Sequence, residues 1–256
     1  MSYKIVFFDV DGTLTSHIDG SISEGTKRAI RKLINRGIKV VAATGRPFSM
    51  CRELEDLGIR TFITANGAYV KDNDTVLHKI RFDNDVLKEV MKYAGEKGHG
   101  LSFYTEKLHT NGVKNDQIKK ALEETLSLSE FPKEVLGEEE EVYLMNLFAD
   151  EDMIKEYQDM FPQLIFKRWH PYILNVLKED VSKSLAIKEV LDYFHLDSSE
   201  AIAFGDGGND IDMLEYVGLG IAMGNASDTL KKIADFVTKG SHEGGIYYAL
   251  EKFEVV

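Results

Sequence analysis

The chain has a single cysteine, no apolar run approaching a membrane span, no internal repeat, no low-complexity stretch and no surplus of positive charge. One cysteine forms no internal disulfide, and the opening Met-Ser-Tyr-Lys-Ile-Val-Phe-Phe-Asp is too short in its apolar part for a secretory signal. Together they predict a reducing, cytoplasmic setting with no membrane segment. The formal net charge of -12 argues against a sequence-independent nucleic-acid binder, whose affinity comes mainly from Lys and Arg neutralising phosphates. A small phosphorylated metabolite remains compatible, because surface charge is screened beyond about 8 Å and local cations can dominate.

What is present is a 256-residue chain, 43% hydrophobic, enough for one large domain or two modest ones. It is organised around Asp9-Val10-Asp11-Gly12-Thr13, directly after the apolar run Ile5, Val6, Phe7, Phe8. Such a run predicts a buried parallel strand delivering carboxylates to the carboxyl edge of a sheet, where open α/β sheets bind ligands. Gly12 lets the chain turn Asp11 back toward the pocket of Asp9. Thr13 and Leu14 stand where a calcium loop wants Asp or Asn and then Gly, so an EF-hand is excluded.

Beyond the acidic stretch, a helix capped by Ser23 with Ala29, Ile30, Leu33 and Ile34 on one face leads to a strand ending in Thr44-Gly45-Arg46. A second helix is expected around Met50, Leu54 and Leu57, holding Cys51 as a packed thiol rather than a nucleophile. A strand ending at Asn66-Gly67-Ala68 and a hairpin turning at Asp72-Asn73-Asp74 complete the first part. Residues 82–180 change rhythm to an α+β insert, whose acidic run Glu138 to Glu141 is expected to be a solvated edge. Alternation then returns, with a helix from Ser182 and a strand running into Gly205-Asp206-Gly207-Gly208-Asn209-Asp210. The expected fold is α/β: a doubly wound, parallel-sheet, Rossmann-like core of residues 1–81 and 181–256, interrupted by an α+β cap domain of residues 82–180.

In a parallel sheet the strand ends lie side by side, so Asp9, Asp206 and Asp210 are candidates for one pocket. Two carboxylates about 4 Å apart repel by about 4 kcal/mol at an effective dielectric of 20, which a divalent cation relieves. Oxygen ligands without a Cys or His cluster favour magnesium over zinc. A phosphoryl group would find the Thr44 hydroxyl, the N–H beside Gly45 and the Lys183 ammonium at a helix start. One carboxylate would attack phosphorus while the other protonates the leaving oxygen.

Asp9-Val10-Asp11-Gly12-Thr13, Thr44-Gly45-Arg46, Lys183 and Gly205-Asp206-Gly207-Gly208-Asn209-Asp210 resemble, in order, the four motifs of the haloacid dehalogenase superfamily. Thr-Gly-Arg, Asn-Gly-Ala and the long insert are similar to its Cof-type phosphatase branch with a large αβ cap. The resemblance implies Asp9 as a nucleophile forming an aspartyl-phosphate and Asp11 as general acid and then base. It implies Thr44, Gly45, Lys183 and Asn209 around the phosphate, and Asp9, the Asp11 carbonyl, Asp206 and Asp210 around Mg2+. Arg46, Asn66, His170 and Asn175 are candidates for substrate contact, with Trp169 beside them; Arg46 is equally placed to pair with a core carboxylate, Asn66 to serve as a turn residue, and the cap residues to pack in core or surface. Family members carry an acidic residue near Asn175, in a segment like Leu-Glu-Ile, where this chain has Leu174-Asn175-Val176. The expected activity is magnesium-dependent hydrolysis of small phosphate monoesters such as sugar phosphates or a phosphorylated cofactor. The alternatives are a phosphotransferase or phosphomutase using the same intermediate, or a non-catalytic phospho-aspartate sensor, against which the presence of Asp11 counts.

Overall fold

The computed structural model describes residues 3–126, 128–133, 135–137, 140–178 and 180–256, with the side chains of 151 and 152 also outside the description. Glu138 and Glu139 of the acidic run therefore lie outside the described residues. In chain order the elements are β1 (Ile5–Phe8), α1 (Glu24–Asn35), β2 (Lys39–Ala43), β3 (Thr61–Thr64), β4 (Tyr69–Asp72), β5 (Thr75–Lys79), α2 (Asn84–Lys97), β6 (Gly100–Tyr104), β7 (Leu108–Thr110) and α3 (Asp116–Leu126). They continue as β8 (Leu144–Phe148), α4 (Glu151–Met160), β9 (Ile165–His170), β10 (Ile173–Leu177), α5 (Lys183–Phe194), β11 (Ala201–Gly205), α6 (Ile211–Tyr216), β12 (Leu219–Ala222), α7 (Asp228–Ile233), β13 (Phe236–Val237) and α8 (Gly245–Lys252). The chain divides into two compact units, one of residues 1–46, 51–79 and 182–256, the other of residues 47–50 and 80–181. Among the described residues no helix is long and apolar enough to cross a membrane.

In the first unit the strand order is β13-β12-β11-β1-β2-β3-β4-β5. β13 through β3 run parallel and the hairpin β4–β5 closes one edge antiparallel. The chain winds outward from β1 through β2 and β3, then returns to β11 on the other side of β1. Such a reversal of strand order is where open α/β sheets place their ligands. Alternation puts Ile5 and Phe7 with Ala201 and Ala203 in a core against Ala186, Ile187, Val190 and Leu191 of α5 and Met213 and Leu214 of α6. Val6 and Phe8 point the other way and are equally buried, so β1 is apolar on both faces and lacks an exposed edge.

Ser23 caps α1 by accepting the Thr26 N–H at 3.1 Å, an interaction contributing about 1 kcal/mol. Ala29, Ile30 and Leu33 are buried, whereas Ile34 is more than a third exposed and marks the rim of that face. The helix expected around Met50 is corrected by the structure: Phe48–Met50 and Arg52–Leu57 are separate 3₁₀ turns. Cys51, Leu54 and Leu57 recur every three residues, which suits three residues per turn rather than 3.6. Cys51 is buried as expected, and burial pushes its thiol up to about 12, leaving no thiolate to act as nucleophile. The six-residue α6 is too short for an apolar period to show in the sequence.

The second unit is an antiparallel sheet in the order β7-β6-β8-β10-β9. Leu101, Phe103, Met145, Leu147, Leu174 and Val176 project from one face into a core with Val90 and Ala94 of α2 and Tyr157 of α4. Phe148 and Ile173 project from the opposite face and pack with Ile118, Ala121 and Leu122 of α3. Strands joined by hairpins and helices make this an α+β body.

Candidate active site

Phe8 and Phe204 are register partners on β1 and β11, with their rings stacked 5.0 Å apart. The pairing extends one step further, since the Asp9 N–H donates to the Phe204 carbonyl at 2.9 Å. β1 therefore delivers Asp9, and β11 delivers Asp206, to the same end of the sheet. After Asp9 the chain makes a wide turn over Val10–Leu14, closed by the Leu14 N–H on the Asp9 carbonyl (3.2 Å) and the Thr15 N–H on that of Val10 (2.9 Å). Gly12 sits there at φ +85°, and a Cβ on it would overlap the Asp206 carboxylate. Only glycine meets both demands. Thr13 donates its hydroxyl to Asp206 Oδ1 at 2.7 Å, locking the turn to β11.

Lys183 is the first residue of α5, whose cap Ser182 accepts the Leu185 N–H at 3.2 Å. Its ammonium is buried and lies 2.6 Å from both Asp9 Oδ1 and Asp210 Oδ1. Burial works against that charge, but Asp210 and Asp9 outweigh it and hold the ammonium above its ordinary range. Asp210 also accepts the N–H groups of Asp206 (3.0 Å) and Gly207 (2.9 Å) on Oδ2, so both of its oxygens are engaged by the protein. Burial raises the Asp9 carboxyl well above its usual value, opposed by Lys183 and reinforced by Asp210, Asp206 and Asp11. Burial also raises Asp206, to about 6, against the pull of the Thr13 hydroxyl.

The remaining sequence candidates of this unit surround that centre. Thr44 is buried, accepts the Arg46 N–H on Oγ1 at 3.1 Å and the Asn66 N–H on its carbonyl at 3.1 Å. Gly45 packs beside the Asn66 side chain. Asn66 adopts the left-handed conformation at φ 57° and accepts Asn209 Nδ2 at 2.9 Å, so the loops after β3 and β11 are joined. Arg46 grips Asp11 with two nitrogens, Nε at 2.9 Å and Nη2 more closely, and reaches Glu53 at 3.5 Å. Arg46 is thus engaged by acidic side chains, Asp11 of the loop after β1 and Glu53. Asp11 is half exposed while Asp9 is buried.

The other candidates belong to the second unit. His170 Nε2 meets Glu124 at 3.0 Å and its Nδ1 accepts the Tyr172 N–H at 3.3 Å. Asn175 donates to Asn146 Oδ1 at 2.9 Å, and Trp169 is about half exposed. Asn146 in turn donates to Ser102 at 3.2 Å, completing a row on three adjacent strands. Sequence reasoning missed Asn225, which follows β12 and donates to the Gly12 carbonyl at 2.8 Å and Asp206 Oδ2 at 3.3 Å. The pattern that exposed the other residues, a polar residue just past a parallel strand, applies to it too.

One oxygen each from Asp9, Asp206 and Asp210 lies within 4.8 Å of the others. Three carboxylates, two with raised pKa, around a single ammonium leave negative charge that a cation would relieve. The oxygen-only donor set suits a hard divalent ion.

Residues 6–250 match the family model described as haloacid dehalogenase-like hydrolase. A protein of Bacillus subtilis (strain 168), YkrA, named provisionally as a phosphatase, is 38% identical over 98% of this chain and 98% of its own length. YcsE of the same organism, named as a 5-amino-6-(5-phospho-D-ribitylamino)uracil phosphatase, is 28% identical over 96% of this chain and 94% of its own. Among solved structures, the phosphatase BT1666 of Bacteroides thetaiotaomicron superposes with a TM-score of 0.88 at 30% identity, covering 100% of this chain and 96% of that one. The subclass IIB sugar phosphatase BT4131 gives 0.85 at 32% identity, covering 99% and 100%.

Proposed function

The chain belongs to the family of haloacid dehalogenase-like hydrolases, and from this premise we propose that it is a magnesium-dependent phosphatase of small phosphate monoesters working through an aspartyl-phosphate. The observation that carries the reading is the convergence of Asp9, Asp206, Asp210 and Lys183 at the reversal point of the parallel sheet. Sugar phosphates and phosphorylated cofactors are the substrate classes; the first is in line with the sugar-phosphatase name of BT4131, and the name of YcsE gives another small phosphate monoester.

In this mechanism an Asp9 oxygen attacks phosphorus as the ester oxygen departs with a proton from Asp11. A water, giving its proton to Asp11, then attacks the aspartyl-phosphate, and the Asp9 carboxylate leaves as inorganic phosphate is released. A divalent cation held by Asp9, Asp206 and the Asp11 carbonyl would neutralise charge on the phosphoryl oxygens. Asp210 serves chiefly to aim Lys183, because its Oδ1 takes the ammonium and its Oδ2 already accepts two backbone N–H groups, whereas each Asp206 oxygen accepts one donor and keeps a lone pair for the cation. Lys183, Thr44 and the N–H of Gly45 bind the remaining phosphoryl oxygens, and Asn209, tied to Asn66, borders them. Asp11 must exchange Arg46 for the leaving oxygen, so Arg46 sets where the acid waits. The second unit is read as a cap, with His170 and Asn175 as candidates for contact with the leaving group. Monoester hydrolysis needs accelerations up to about 10²¹, more than any one of these groups supplies.

The test is phosphate release from a panel of small monoesters with Mg2+, run beside Asp9→Asn. Wild-type turnover with loss of more than about 10³-fold in the variant is expected. Undiminished turnover by Asp9→Asn sinks the nucleophile, and transfer to an acceptor without stoichiometric phosphate sinks hydrolysis.

A further inference from the structure

Asn225 lies in Met223-Gly224-Asn225-Ala226, the segment leaving β12. The segment is anchored from below, because the Gly224 N–H donates to the Lys239 carbonyl at 3.0 Å and the Met223 N–H to that of Gly205 at 2.9 Å. The half-buried Asn225 side chain has three partners. Its Oδ1 accepts the Ser241 N–H at 2.9 Å, and its Nδ2 donates to the Gly12 carbonyl at 2.8 Å and Asp206 Oδ2 at 3.3 Å. The orientation of the amide is dictated by these partners. A backbone N–H can be met only by the carbonyl end, and a carbonyl and a carboxylate only by the NH2 end.

The consequence falls on the groups assigned to the cation. Asp206 has Thr13 on Oδ1 and Asn225 on Oδ2, so its carboxylate plane is pinned from both sides. Gly12 occupies a left-handed turn immediately after Asp11, and its carbonyl is held one peptide beyond the Asp11 carbonyl. One side chain thereby fixes the spacing between the acidic turn and Asp206. A residue that only tied β12 to the 238–241 segment would need the Ser241 bond and neither of the other two.

We infer that Asn225 is a positioning residue that holds the acidic turn and Asp206 at the separation a divalent cation requires, and so sets metal affinity. This rests on the metal reading of the proposed function. Groups that orient metal-binding carboxylates without touching the ion typically change affinity by about 10- to 100-fold when removed.

The test is calorimetric titration of MgCl2 into wild type, Asn225→Ala and Asn225→Ser, with urea unfolding of each protein in EDTA. Both variants are expected to bind Mg2+ roughly 10- to 100-fold more weakly. Their unfolding midpoints in EDTA should fall modestly, because the Ser241 N–H and the Gly12 carbonyl each lose a partner, while both variants remain folded at the titration temperature and kcat on an aryl phosphate recovers at saturating Mg2+. Asn225→Ser retains a polar side chain and guards against a folding defect in the alanine variant. Variants that bind Mg2+ as tightly as wild type overturn the role of Asn225 alone. A wild-type protein that gives no Mg2+ binding overturns the metal reading and this inference with it.

Discussion

Lys183 shows how far one residue type can be judged from sequence. A lysine at a helix start is ordinarily solvated, and its order among the motifs marked it as a candidate while giving no hint that it would be 1% exposed between two carboxylates. Removing one partner of a buried charge cluster leaves the others uncompensated. Lys183→Met is therefore expected to destabilise the protein by about 3–5 kcal/mol, read from urea unfolding in EDTA. A loss within about 0.5 kcal/mol, the range of surface substitutions, would mean that the cluster is solvated after all. Arg46 was legible as a cation near the pocket, but its choice of Asp11 depends on a loop conformation that spacing does not encode.

Helix and loop boundaries carry the next level of the site. Ser182 and Lys183 are aimed by the start of α5, and the loop after β3 lies directly against it. Gly67 stands at φ +108°, and a Cβ on it would overlap the Ser182 carbonyl. Gly67→Ala must then strain its own backbone and displace the helix start that holds Lys183. The expected cost is about 1–3 kcal/mol, with a fall in phosphate release that outlasts refolding at low temperature. A variant with wild-type stability and turnover would show that this approach is not needed. Asn66-Gly67 was readable as a turn from its dipeptide, whereas its abutment on α5 was not. Likewise the apolar spacing of three around Cys51 is present in the sequence, but over so few residues it fits an α-helix as well as the 3₁₀ turn that forms.

For the molecule as a whole, the raised carboxyls link stability to pH and to metal. An acid raised by folding favours the folded state in its protonated form. In the absence of a cation the contribution of Asp206 is full below its ordinary value near pH 4 and is lost as pH climbs through about 6. Asp9 shifts in the same direction. A divalent cation competes with those protons, so the rise in urea midpoint caused by Mg2+ should grow between about pH 5 and about pH 7 and level off above. A rise of constant size across that interval, or none, would contradict the assignment. The order of the motifs and the alternation of strands and helices were decided locally, by apolar period and turn residues, so the sequence alone determined the α/β fold class and which acidic residues follow its strands. Which oxygens meet, how Arg46 and Asp210 spend their hydrogen bonds, and that Asn225 joins Gly12 to Asp206 were decided only by the tertiary structure. They depend on the order of parallel strands across β1, which joins residues nearly two hundred positions apart through contacts that no local pattern records.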